Sequence, residues 1–213
     1  MRDEKSDFRG LAEQLVNYAR EFHSRGWTLG TSGNFSAVVS SQPLTLAITP
    51  SGADKGALNA GDLLRVDAQG TPIETTVRPS AETSLHLAVV RLRSAGAVLH
   101  THSVWSTIIS EAQASAGGLR IEGFEMLKGL QGVDTHEHIE WIPIIENSQN
   151  YSALVASLEE ALTSHPQAHG VLLRRHGLYT WGKDLGQAKR HLEILEFLLE
   201  VLGRTYCSRA RED

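Results

Sequence analysis

Apolar residues recur every three to four positions at Phe8, Leu11, Leu15, Ala19 and Phe22, which predicts an amphipathic helix over 8–25, stopped by Gly26. The period then shortens. Residues 35–39 and 44–48 read as strands, and 63–66 with 72–74 reads as a hairpin around the turn 67–70. Leu85, Ala88, Val89 and Leu92 mark a helix over 81–94, with Ser80 at its N-cap. The apolar run Gly96-Ala97-Val98-Leu99 reads as a buried strand that delivers His100 at its end, followed by a helix over 104–113. Between 114 and 150 only 141–145 carries a regular pattern. Leu154, Leu158 and Leu162 give another helix, ended near His165-Pro166. Residues 170–173 form a strand running into Arg174-Arg175-His176-Gly177, and a last helix spans about 184–205 through Leu185, Ala188, Leu192, Leu195, Leu199 and Leu202. Strands and helices mixed without a βαβ rhythm imply an α+β or three-layer domain rather than a doubly wound one. With no repeat or linker in view, the expectation is one domain over 1–213.

Composition narrows the partners. The 213 residues are 41% hydrophobic and 21% charged, a globular balance. A formal charge of -5 argues against a general nucleic-acid partner, which requires a basic face. No apolar run approaches the roughly 18–20 residues that span a bilayer, and the charged start Met1-Arg2-Asp3-Glu4-Lys5 leads into no apolar signal segment. A single cysteine, Cys207, cannot pair within the chain, so a reducing compartment, the cytoplasm, is the expectation.

Candidate chemistry lies in the histidines. Alternate residues of a strand point to one face, so His100 and His102 can both reach one ion, and neutral imidazole suits divalent first-row metals. With ten histidines in the chain, spacing alone decides little, and a second pair, His136 and His138, has the same spacing. Context separates them: the first follows an apolar strand, whereas the second sits among Asp134, Glu137 and Glu140 in what reads as a solvated loop. His176 also follows an apolar strand, and Gly177 after it permits close backbone approach. Taken singly, each histidine is better explained as a hydrogen-bonded strand end. Three together, with an open position, make a catalytic zinc arrangement.

Two glycine-rich turns could bind an anion. Gly30-Thr31-Ser32-Gly33-Asn34 offers successive backbone N–H groups, and Thr49-Pro50-Ser51-Gly52 with Lys55 offers hydroxyls, an N–H and a positive charge. Ser80 adds a helix start. Such turns are most often only turns, and Ser80 only a cap. Neither a Walker A sequence nor G-x-G-x-x-G nor G-x-S-x-G occurs, so a nucleotide cofactor and a serine nucleophile are not implied.

In order along the chain, Thr31-Ser32-Gly33-Asn34, Thr49-Pro50-Ser51-Gly52, Pro79-Ser80-Ala81-Glu82, His100-Thr101-His102 and Arg175-His176-Gly177 resemble the class II aldolase/adducin family. Within it, Glu125-Met126-Leu127-Lys128-Gly129, Pro143-Ile144-Ile145-Glu146-Asn147 and the segment ending Arg174-Arg175-His176-Gly177 resemble the methylthioribulose-1-phosphate dehydratases, with Thr135-His136-Glu137-His138 like the bacterial branch. The resemblance implies a three-layer αβα sandwich around a largely antiparallel sheet, with one Zn2+ per subunit on His100, His102 and His176. It implies a phosphorylated-sugar substrate held by Ser32, Gly33, Asn34, Ser51, Gly52, Lys55 and Ser80, and a homo-oligomer, commonly a tetramer, with sites near subunit boundaries. The dehydratase likeness puts the acid/base glutamate at Glu125, whereas the aldolases put it at Glu82; Glu125 is favoured, with Glu82 near the metal. The rival expectations are a sugar-phosphate aldolase and a non-catalytic adducin-like module.

Overall fold

A computed structural model describes residues 4–209. Its helices are α1 Glu4–Ser24, α2 Thr83–Arg93, α3 Val104–Ala112, α4 Tyr151–Ser164 and α5 Leu185–Arg209. Its strands are β1 Asn34–Ser41, β2 Leu44–Ile48, β3 Leu64–Val66, β4 Ala97–Thr101, β5 Gly118–Ile121, β6 Glu140–Ile145, β7 Gly170–Leu173 and β8 Gly177–Gly182. The strands form one sheet in the order β3-β2-β1-β4-β8-β7-β6-β5. Every neighbouring pair is antiparallel except β6 with β7, which run parallel. The fold is therefore α+β, as expected.

Strand alternation sends side chains into two separate cores, one on each face of the sheet. On one face Phe35, Ala37, Ala97, Leu99 and Leu178 pack with Leu15 and Phe22 of α1, Ile109 of α3, and Leu192, Leu195 and Leu199 of α5. On the other, Leu46, Ile48, Val98, Val171, Leu173 and Tyr179 pack with Leu85 and Val89 of α2 and with Leu154 and Leu158 of α4. Each fully buried leucine contributes about 1.5–3 kcal/mol relative to exposure, so the helical stripes read from sequence are what hold the layers together.

Four local expectations are corrected. The helix after Pro79 begins at Thr83, not 81, and its N-cap is Glu82 rather than Ser80. Residues 78–80 are instead drawn alongside the end of β2: Ser51 N donates to Arg78 O and Ser80 N to Thr49 O. The hairpin over 63–74 keeps only its first strand, because Pro72 forms no more than an isolated bridge to Val66. The irregular stretch 114–150 contains β5, and its Glu140 is buried at the start of β6 rather than solvated. Finally, β7 does not simply end near His176. It turns back into β8 through Arg174–His176, with Leu173 paired to Gly177 and Arg175 at φ 54. The turn carries no Asn-Gly or Gly-Gly signal, so nothing in it announces the hairpin.

Candidate active site

The register of the central strands brings the chemistry together. Asn34 at the start of β1 pairs with His100 near the end of β4, and Thr101 pairs with Leu178 just inside β8. Asn34, Ser36 and His100 share the sheet face covered by α2 and α4, so a run of polar side chains meets the start of α2. Thr101 points the other way, where its hydroxyl donates to Glu196 Oε1 on α5 at 2.5 Å. Two glycines permit this closeness. A Cβ on Gly177 would lie 2.0 Å from the Thr101 carbonyl oxygen; one on Gly33, at φ +75, would lie 2.8 Å from the His100 carbonyl oxygen.

His100, His102, His176 and Glu82 converge, their ligand atoms all within 4.8 Å of one another. His100 Nε2 is 2.8 Å from His102 Nε2 and 3.4 Å from His176 Nε2. Glu82 Oε2 lies 3.4 Å from His100 Nε2, and Oε1 lies 3.4 Å from His176 Nε2. The outward nitrogens of two rings are already used: His100 Nδ1 meets the Leu178 carbonyl at 3.0 Å, and His176 Nδ1 meets Asn147 Oδ1 at 3.2 Å. Both partners only accept at those atoms, so each Nδ1 carries the hydrogen and each Nε2 presents a lone pair. Burial, then the neighbouring imidazoles, hold His100 well below its ordinary pKa. Burial, followed by the charges of His176 and Lys55, pushes His102 down to about 3. Burial also lowers His176, with Glu82 opposing. Neutral lone pairs aimed at one point fit a divalent metal, and outer partners that fix the ring tautomers are what such ligands need.

The two glycine-rich turns line the same cleft. A cavity of about 250 Å³ is bounded by Ser32, Gly33, Asn34, Ser51, Gly52, Lys55 and Ser80, together with Glu82, His102 and His176. All seven residues expected to hold substrate are therefore gathered beside the histidines. Lys55 is 1% exposed and ties the two turns together, donating to Thr31 O at 3.0 Å and Ala53 O at 2.7 Å. Burial lowers its pKa to about 8, with Asp54 opposing, so most of the ammonium charge survives at neutral pH. A larger cavity of about 690 Å³ lies on the other side of Pro50, which lines both, but it holds none of the histidines. The smaller cleft is the one with chemistry.

Glu125 stands apart. It lies exposed at the start of a 3-10 turn, pairs with Lys128 Nζ at 2.8 Å, and does not line the cleft of its own chain. His136 lies 3.8 Å from the Glu125 carboxylate; His138 Nε2 lies 2.9 Å from Glu140 Oε2, and neither joins the metal cluster. Glu82 is the single carboxylate lining the cleft among the described residues. The sequence assigns no role to three further site residues: Asn147, which holds His176; Tyr179, whose ring stacks on His100 at 3.9 Å and whose hydroxyl donates to Glu82 Oε2 at 2.8 Å; and His86, which meets Asn34. The run Leu178-Tyr179-Thr180-Trp181 after Gly177 is the available strand signal for Tyr179.

Residues 13–202 match the family model described as Class II Aldolase and Adducin N-terminal domain. The chain is 41% identical over 190 residues to a methylthioribulose-1-phosphate dehydratase of Marinobacter nauticus, covering 89% of this chain and 90% of the relative. It is 44% identical over 190 residues to one of Xanthomonas campestris, covering 89% and 86%. Among solved structures, YgbL from Klebsiella pneumoniae superposes with a TM-score of 0.77 at 27% identity, covering 91% of this chain and 88% of that one. L-fuculose-1-phosphate aldolase from Thermus thermophilus superposes at 0.74 and 23% identity, covering 95% and 98%, a likeness of fold.

Proposed function

The chain belongs to the class II aldolase and adducin family, and on that premise we propose that it dehydrates 5-methylthioribulose 1-phosphate to 2,3-diketo-5-methylthiopentyl 1-phosphate in methionine salvage. The observation that carries this reading is the meeting, in one cleft, of three neutral imidazoles, a buried carboxylate and two N–H-rich turns, in a chain 41–44% identical to dehydratases of that substrate over most of its length. The metal is zinc on this reading, held by His100, His102 and His176. When bound, it supplies a Lewis acid that eases loss of a proton from the carbon next to a carbonyl.

The chain's own residues do the rest. Ser32, Gly33, Asn34, Ser51, Gly52 and Ser80 hold the phosphate end, and Lys55 lends charge from beneath the turns. This fixes which C–H bond meets the base. A carboxylate takes the C3 proton; its acid form returns that proton to the departing C4 hydroxyl, which leaves as water, and the enol so formed becomes the ketone. Glu125 fills that role, entering the cleft across a subunit boundary of a homotetramer, with Glu82 beside the metal. A second reading gives the acid/base role to Glu82, which the cleft already contains. The chain works as one domain in the cytoplasm, in keeping with its lone cysteine. No helix among the described residues is long and apolar enough to cross a membrane.

The test is incubation of the purified, metal-replete protein with the methylthio sugar phosphate. Loss of one water with the carbon skeleton intact is expected, together with about one equivalent of zinc per chain that His176→Ala loses. Carbon–carbon cleavage would make the protein an aldolase. Absence of both metal and turnover would make it a binding module.

A further inference from the structure

Behind Glu82 runs a buried chain of hydrogen bonds whose far end touches neither the cleft nor the three imidazoles. Asn34 Nδ2 donates to Glu82 Oε2 at 2.7 Å. The other side of the Asn34 amide, Oδ1, meets His86 Nε2, and His86 Nδ1 lies 2.7 Å from Ser36 Oγ. His86 is fully buried on α2, and Ser36 is fully buried on β1. A carboxylate only accepts, so Asn34 must turn its NH2 toward Glu82 and its carbonyl oxygen toward His86. His86 must then carry its hydrogen on Nε2, which leaves Nδ1 to accept from the Ser36 hydroxyl. Each link dictates the polarity of the next. Tyr179 adds a second donor to the same Oε2. Glu82 Oε1, by contrast, receives no hydrogen bond from the described residues and lies on the His176 side.

We propose that His86 is a positioning residue: acting through Asn34, it ties down Oε2 of Glu82 and so selects Oε1 as the oxygen that serves the cleft. The inference rests on the reading that Glu82 takes part in the chemistry beside the metal. Burial pushes the imidazole down to about pKa 3, which keeps it neutral, as the donor-and-acceptor role demands. Were His86 replaced by an apolar residue, the Asn34 carbonyl oxygen would lose its donor. The amide could then rotate and bring that oxygen against the carboxylate.

The experiment compares His86→Leu with His86→Gln, whose side-chain NH2 can reach the place of Nε2. For His86→Leu, kcat should fall about 10–100-fold while KM and the metal content hold; His86→Gln should recover most of the loss. A folded His86→Leu protein with normal kcat, or a Gln variant as impaired as the Leu one, would overturn the assignment. So that misfolding cannot leave the matter open, the wild-type protein is also examined by long-range 15N–1H correlation. His86 is expected as the neutral Nε2–H tautomer, and the Nδ1–H form would sink the proposal. A wild-type protein that binds metal but does not turn over the methylthio substrate would refute the proposed function, and the tautomer measurement would still judge His86.

Discussion

Two glutamates carry the mechanistic question at the level of single residues. Glu82 is 8% exposed and sits within 3.4 Å of two imidazoles, whereas Glu125 is exposed and held by Lys128, whose hydrogen bond and charge lower its pKa. The lowered pKa keeps Glu125 ionised but also makes it the weaker base. Glu125 does not line the cleft of its own chain, so the proposed role requires a neighbouring copy to bring it there. Glu125→Gln is therefore expected to abolish turnover with metal content unchanged, measured by steady-state kinetics and metal analysis. If Glu125→Gln keeps near-normal kcat and Glu82→Gln does not, the acid/base role passes to Glu82. Both carboxylates are legible in the sequence as candidates, because each adjoins a motif. Their ranking is not, since exposure and convergence are not written in spacing.

Among the elements, the β7–β8 hairpin does most to build the site. It places His176 at a three-residue turn and slides Gly177 against the Thr101 carbonyl, so that strands from distant parts of the chain hold the imidazoles at bonding separation. The turn is braced from outside: Arg175 N donates to Ser110 Oγ, and Arg174 and Arg175 both bind Glu111 on α3. Gly177→Ala would drive its Cβ to 2.0 Å from backbone that cannot yield. A loss of about 1–3 kcal/mol is expected for overpacking of this kind, read as a lowered unfolding midpoint, together with reduced metal retention because β8 and β4 must part. A variant with unchanged midpoint and full metal would mean the hairpin does not set the histidine spacing. Apolar periodicity makes α1, α2 and α5 legible; the pairing of β7 with β8 is not, since their turn lacks the residues that usually announce a hairpin.

Across the whole molecule, a second polar cluster ties the far end of the sheet to the loop that carries Glu125. Glu140 Oε2 meets His138 Nε2 at 2.9 Å and His169 Nδ1 at 3.0 Å, while His169 Nε2 meets the Gln131 carbonyl at 2.9 Å. Burial alone would raise the Glu140 carboxyl, but the hydrogen bonds and charge of His169, with the bond from His138, outweigh it and lower the pKa from 4.5. Burial alone would likewise lower His169, yet Glu140 and the Gln131 carbonyl raise it above 6.5. The lowered carboxyl gives stability that is present above pH 4.5 and lost as the pH falls through its folded value. The raised imidazole gives stability that is complete below pH 6.5 and lost as the pH rises through its folded value. The pair should thus stabilise most between about pH 4.5 and 6.5. Subtracting unfolding midpoints of Glu140→Gln from wild type across about pH 4–8 should yield a difference that peaks in that window, because the remaining groups titrate in both proteins. A flat difference would show that the pair carries no coupled charge.

The linear chain was enough to lay out the amphipathic helices and most of the strands, because each is a local pattern of residue types at short range, while the order of motifs along the whole chain, not any one of them, nominated the two glycine-rich turns and the three imidazoles. Folding supplied the rest. Which carboxylate lies beside the histidines, which tautomers they hold, and that Tyr179, His86 and Asn147 support them all depend on side chains separated by tens of residues meeting across β1, β4 and β8. Such meetings follow from sheet register and strand alternation, and a register is a relation between strands that no single stretch of sequence contains.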